Sequence, residues 1–153
     1  MALEKTRLKI EKILKGAQSA RTMDRVAKRA AKLIKDRTRR GRGVDGRKLK
    51  RLKESTIKNR RRAKGKLSPK TSPEKSNLTF TGQMLDAIRG RGFIRKITIF
   101  FRESRRDKKT NSEIAIFNEL KGRLFFGLNK KEINKITKNL SRDIRDELRR
   151  KLT

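Results

Sequence analysis

The stretch Phe93-Ile94-Arg95-Lys96-Ile97-Thr98-Ile99-Phe100-Phe101 decides the fold class of this chain. Phe93, Ile97, Ile99 and Phe101 recur on one face with Arg95 between them; Ile94, Lys96, Thr98 and Phe100 fall on the other. β-branched and aromatic residues alternating in this way predict a strand. Its two faces are both largely apolar, as expected for a strand in a core or at a subunit interface.

The pattern on either side of this strand is helical. Asn129 followed by Glu132 resembles a capping box, by analogy with the Ser/Thr form. Ile133, Ile136, Leu140, Ile144 and Leu148 then run along one face to Leu152, with Arg149, Arg150 and Lys151 in a last turn where the helix dipole favours cations. At the other end, Leu3, Ile10, Ile13 and Leu14 make a first apolar stripe before Gly16. Met23, Val26, Ala27, Ala30, Leu33 and Ile34 make a second, which Ser19 or Thr22 would cap. Leu78 to Ile88 predicts a short helix with Thr81 as N-cap. Glu113 to Leu120 fits either a strand or a short helix, Arg102 to Ser112 a loop, and Arg123 to Leu128 a short apolar segment. The expected architecture is α+β: an N-terminal helix or helices, a long basic arm, a small antiparallel sheet with a short helix, and a long C-terminal helix.

The arm is the strongest physical feature. Between residues 37 and 66, half of the positions are Lys or Arg, against only Asp45 and Glu54. Gly41, Gly43 and Gly46 interrupt any helix, Asp45-Gly46 signals a turn, and Pro69 and Pro73 mark an exposed loop. Ser55-Thr56 would start a short helix. We therefore expect one domain over residues 1–153, with residues 37–77 as an extended basic arm or loop. Arg37, Arg39, Arg40, Arg42, Arg47, Lys48, Lys50, Arg51, Arg60, Arg61 and Arg62 are the candidate contacts to DNA or to an acidic partner. Contacts of this kind carry affinity that falls steeply with salt and no base preference.

Composition bounds the function. The 153 residues include 48 Lys plus Arg against 16 Asp plus Glu, a formal net charge of +32. Like charges repel within a Debye length of about 8 Å at physiological salt, so the excess calls for a polyanion or an acidic protein surface. Only 32% of residues are hydrophobic, which limits the core. With no Cys and no His, the chain lacks thiolate nucleophiles, the commonest general base and the commonest transition-metal ligands. The acids, among them Asp24, Asp36, Asp86 and Asp107, are scattered among cations. Asp143, Asp146 and Glu147 fall near Arg142, Arg145 and Arg150 as an i,i+3 and i,i+4 network on the outer face of the last helix. Gly41-Arg42-Gly43 lacks the context of a phosphate loop. No catalytic residue, metal site or cofactor is expected. No apolar run approaches the roughly 18 residues of a membrane span, and Met1 to Lys5 shows no apolar leader, so no membrane partner is expected.

Three patches, in order, point to a family. They are Gly43-Val44-Asp45-Gly46-Arg47-Lys48-Leu49-Lys50-Arg51-Leu52-Lys53-Glu54-Ser55-Thr56-Ile57, then Leu78-Thr79-Phe80-Thr81-Gly82-Gln83-Met84-Leu85-Asp86-Ala87-Ile88, then Arg123-Leu124-Phe125-Phe126-Gly127-Leu128 followed by a terminal helix. Together they resemble the tail-completion and head–tail joining proteins of tailed phages, often labelled virion morphogenesis proteins. The resemblance covers roughly residues 25–145. It departs from the family at Ala115-Ile116-Phe117-Asn118-Glu119, where members often carry a Tyr and a His.

The resemblance implies a homo-oligomeric ring, generally of six subunits, in the virion neck or tail and made in the host cytoplasm. It implies contacts with connector or adaptor proteins and with tail-tube or sheath proteins, around a lumen holding double-stranded DNA. In its terms Asp45 and Gly46 form a turn, and Leu49, Leu52 and Ile57, with Thr56 beside them, dock the arm. Thr81 caps the short helix beside Gly82 and Leu85, and Phe125, Phe126 and Gly127 anchor the terminal helix. Two other classes fit the composition: a ribosomal or other RNA-binding structural protein, and a nucleoid-type DNA compactor.

Overall fold

Ser19 opens the first described helix: its Oγ accepts a hydrogen bond from the Thr22 N–H at 3.3 Å, filling one of the donors that a helix start leaves open. The structure is a computed structural model that describes residues 19–69, 71–94, 96–103 and 109–152. The expected stripe from Leu3 to Leu14 lies outside these residues. The elements are α1 (Ala20–Arg39), α2 (Glu54–Arg62), a 3-10 turn (Lys64–Lys66), α3 (Gln83–Asp86), β1 (Ile88–Phe93), β2 (Lys96–Phe101), α4 (Asn111–Leu120) and α5 (Lys130–Leu152). The fold is α+β, with a two-stranded antiparallel sheet and a long C-terminal helix.

Two compact units divide the chain. Of the described residues, the first takes 19–30, 90–94, 96–99 and 130–152; the second takes 31–69, 71–89, 100–103 and 109–129.

In the first unit, small residues bring backbones together. Val26, Ala27 and Ala30 of α1 are buried, and β1 lies against this face. A Cβ on Gly90 would stand 2.1 Å from the Ala27 carbonyl oxygen, and one on Gly92 would stand 2.0 Å from the Asp24 nitrogen. Neither position has room for any side chain. Asp24 closes the contact by accepting the Gly92 N–H at 3.3 Å. Its carboxyl is held below the usual range by the Lys28 ammonium and then by this backbone donor. On α5, Ile136 is buried, Leu140, Ile144 and Leu148 are half-buried, and Ile133 is exposed. Asp143 departs from the expected network along α5. It reaches α1, where Arg29 Nη1 donates to its Oδ2 at 2.6 Å, and its side chain is only 10% exposed.

The second unit packs Ile34, Leu85, Ile88 and Phe125 in its centre, each almost fully buried. Burying one such side chain contributes about 2–3 kcal/mol. The Phe126 ring meets Phe101 at 4.7 Å between centroids, and α3 packs against α4.

Three expectations change here. The apolar run Phe93–Phe101 is not one strand: Phe93 ends β1, Lys96 starts β2, and the two strands pair with each other. Alternation continued across the turn in the residue types, which disguised the reversal. Thr81 does not cap α3; Gly82 holds that position at φ 81° without a side-chain cap bond, a conformation that glycine adopts without strain. The segment Glu113–Leu120 resolves as helix, because Thr110 and Glu113 form a capping box in front of it: Thr110 Oγ1 accepts the Glu113 N–H at 3.2 Å while the Glu113 carboxylate accepts the Thr110 N–H at 2.6 Å. That backbone donor holds the Glu113 carboxyl below its usual range, helped by the Thr110 hydroxyl.

Residues 37–77 are folded into the second unit rather than extended from it. Arg37 and Thr38 complete α1 and are buried, Leu49 is 7% exposed, α2 occupies Glu54–Arg62, and Asn77 is fully buried. Polar clamps hold the irregular stretches: Asn77 Nδ2 donates to the Arg39 carbonyl at 3.3 Å, and Ser76 Oγ to the Lys50 carbonyl at 2.6 Å. A segment this poor in apolar residues stays folded only because its backbone groups find such partners.

Candidate anionic-partner interface

The interface begins at a turn. The Gly46 N–H donates to the Gly43 carbonyl at 3.0 Å, the Gly43 N–H to the Arg47 carbonyl at 2.8 Å, and Arg42 pairs with Lys48 in an antiparallel bridge. Gly46 sits at φ 79°, the left-handed residue that follows the turn in a three-residue hairpin. Asp45 Oδ1 accepts the Arg47 N–H at 2.9 Å, which is why Asp-Gly marks this place in the sequence. The turn is anchored by the Val44 N–H, which donates to the Leu124 carbonyl at 3.0 Å.

This hairpin presents cations. Arg40, Arg42, Arg47, Lys48, Lys50 and Arg51 are all exposed, as are Arg61 and Arg62 on α2. Arg42 Nη1 donates to the Gly46 carbonyl at 3.0 Å, and Arg61 holds Glu74 at 3.1 Å. The Glu74 carboxyl is lowered by a backbone donor and then by Arg61. An exposed pair of this kind is worth at most about 1 kcal/mol, so it hardly ties Arg61 down.

Three of the expected contacts point inward instead. Arg37 is 3% exposed, and its Nη2 donates to the Phe125 carbonyl at 2.5 Å and the Gly127 carbonyl at 2.9 Å. Arg60 is 7% exposed, donates to the Lys75 carbonyl at 3.0 Å and stacks over the Phe80 ring at 5.6 Å. Burial, and then the nearby Arg123 charge, lower its pKa. Arg39 is half-buried and paired with Asp86, with Asp36 at 3.8 Å. These guanidiniums serve the fold. Sequence does not distinguish them from their exposed neighbours, since all are Arg in one basic run.

The other motif residues fall within the same unit. Leu85 and Phe125 are its core, Leu49 is buried, and Leu52, Thr56 and Phe126 are half-buried. Gly127 passes Val44 closely; a Cβ there would lie 3.5 Å from the Val44 Cγ2. Thr81 is exposed and its Oγ1 accepts the Gln83 N–H at 3.4 Å.

Beside the basic hairpin lies an open groove of about 1070 Å³, bordered by residues 50–53, α2, residues 78–84 and α4. Leu78, Phe80, Met84 and Ile114 give it an apolar floor, while Lys109, Lys121 and Arg123 add cations that the sequence reading did not single out.

Among the described residues no cluster of three or more acidic side chains gathers to hold a metal ion, and no helix is long and apolar enough to cross a membrane. Compared with known proteins, the chain matches no family model, and neither a curated protein nor a solved structure is similar to it.

Proposed function

We propose that this chain is a structural neck or tail-completion subunit of a tailed phage, one copy in a ring that joins the head connector to the tail around the DNA channel. It is not an enzyme in this reading. What supports it is the family resemblance of the three ordered sequence patches, together with the contact between the first and the last of them. These two lie far apart in sequence, yet they adjoin: the Val44 N–H donates to the Leu124 carbonyl at 3.0 Å, and Gly127 runs against Val44. The Asp86 carboxylate, in the middle patch, receives Arg39, which precedes the first patch by four residues.

The exposed hairpin cations suit a subunit that meets an anion. In a ring they would face either the DNA in the lumen or an acidic neighbouring ring, and there the repulsion of an isolated monomer would be relieved. The same cations would also suit an RNA-binding structural protein, which remains the second reading because phosphate contacts do not discriminate between polyanions.

Native mass spectrometry of the purified full chain, alone and mixed with phage connector and tail proteins, tests the proposal. A closed oligomer, expected at six copies, or a stoichiometric complex with those proteins supports it. A monomer that ignores them and co-sediments with ribosomal particles would replace it with the RNA reading.

A further inference from the structure

The groove beside α4 has a chemistry that the hairpin cations do not share. Ile116, Phe117 and Leu120 stand 58%, 52% and 81% exposed on α4, and Leu124 beyond it is 62% exposed. Leaving a large apolar side chain in water forgoes about 1.5–3 kcal/mol relative to burial. Ile116, Phe117 and Leu120, lining the groove with the apolar floor of Leu78, Phe80, Met84 and Ile114, exceed the scattered exposure of an ordinary surface. Leu78 is also the one non-glycine residue at positive φ among those described, at 55°. That backbone costs about 1–2 kcal/mol, and strain of this kind gathers at binding surfaces.

The rim is strongly basic. Lys50, Arg51, Lys53, Lys109, Lys121 and Arg123 border the groove, whereas the acid on its lining, Glu113, is committed to the Thr110 cap. Two of these cations stand over one ring: Lys121 Nζ lies 3.9 Å and Lys109 Nζ 5.6 Å from the Phe117 centroid. Cation–π contact with Phe contributes about 0.5–1 kcal/mol at an exposed site and leaves both ammonium charges without a counter-charge from the ring.

We infer that this groove binds an acidic amphipathic helix of a partner protein, with apolar residues on Ile116, Phe117 and Leu120 and carboxylates on the surrounding Lys and Arg. Each alternative occupant fails on charge or on shape. A second copy of this chain offers helices that are themselves basic, α5 among them with Arg142, Arg145, Arg149 and Arg150, so like charges would face each other. Nucleic acid would neutralise the rim, but its phosphates would leave Ile116 and Leu120 in water. Apolar residues at i and i+4 on a helix ridge match a partner helix of the same period, and α4, ten residues long, spans about 15 Å. This inference rests on the groove alone and holds whether or not the particle is a phage neck.

The test is fluorescence anisotropy on the full chain with a labelled 16-residue helical peptide carrying Leu and Phe at i, i+3, i+4 and i+7 and Glu elsewhere. The comparison probes are the same residues scrambled, the same peptide with Lys for Glu, and a duplex DNA of equal charge. The acidic amphipathic peptide is expected to bind at least tenfold tighter than the scrambled one, and the Lys peptide not at all. Leu120→Asp, at an 81% exposed site that tolerates a charge, should weaken it at least tenfold while leaving the melting temperature and the DNA affinity unchanged. Equal binding of the ordered and scrambled peptides, or an unaffected L120D, would overturn the inference and leave only a nonspecific basic surface. So would duplex DNA that displaces the peptide and itself loses affinity in L120D, which would assign the groove to nucleic acid.

Discussion

The two units of this molecule solve the same shortage of apolar residues by opposite means. The first removes side chains: Gly90 and Gly92 let β1 lie on the backbone of α1 at Ala27 and Asp24, with alanines beneath. The second adds polar ones, threading Arg37, Asn77 and Ser76 onto backbone carbonyls of irregular segments. Close approach is unforgiving because a Cβ has nowhere to go. Polar clamping is nearly neutral in sum, since burying a guanidinium costs several kcal/mol that its charge-assisted bonds then offset. Its loss is nonetheless expensive, because the carbonyls it satisfied stay buried.

The contrast is broken most severely at Gly92. Gly92→Val should place its Cβ on the Asp24 backbone and cost more than about 4 kcal/mol, read as loss of the cooperative melt or of soluble protein. A well-folded G92V would mean that β1 does not lie on α1. Next comes Arg37→Met, which keeps the volume but orphans the Phe125 and Gly127 carbonyls; about 2–4 kcal/mol is expected by urea titration. Arg37→Lys should recover little, because a lysine is a point donor and not a fork.

The first unit was far more legible in the sequence than the second, for a physical reason. Periodic burial leaves a trace in residue type, so the stripes from Met23 to Ala30 and from Ile136 to Leu148 announce α1 and α5 directly. The glycines that bring β1 onto α1 also erased its own alternation, since Ile88-Arg89-Gly90-Arg91-Gly92-Phe93 has only two large apolar residues. The sheet was therefore visible through β2 alone. In the second unit the decisive contacts are made by polar residues, whose inward or outward turn no periodicity records. Arg37 and Arg60 are buried, Arg40 and Arg62 exposed, and nothing in the local sequence separates them. The turn at Asp45-Gly46 was readable because its backbone demands those residue types. The groove on α4 was not, because Ile114, Ile116, Phe117 and Leu120 satisfy both the strand and helix patterns.

Smaller effects sharpen the contrast. Thr110→Ala removes the α4 cap and should cost about 1 kcal/mol, a fall in melting temperature of a few degrees. The partner carboxylate gives this cap a pH dependence. Glu113 is held below its ordinary range, so its contribution is complete above the unfolded carboxyl pKa and disappears as pH falls through the folded value. The melting temperatures of wild type and Glu113→Gln should converge in acid; a gap independent of pH would assign the effect to helix propensity. Smallest for stability is the triple change of Arg42, Arg47 and Lys48 to Ala, within about 0.5 kcal/mol at exposed sites. Its effect belongs to binding: if the hairpin meets DNA, the salt slope of duplex affinity should fall by about 2–3, near 0.9 for each lost phosphate contact. An unchanged slope would move the hairpin to a protein partner.

The central proposal, a ring subunit joining head to tail, is tested most directly by electron microscopy of particles made with and without this gene product. The account predicts filled or emptied heads and separate tails in its absence, with joined particles restored when the chain is supplied in trans. Normally joined, infectious particles without it would contradict the account.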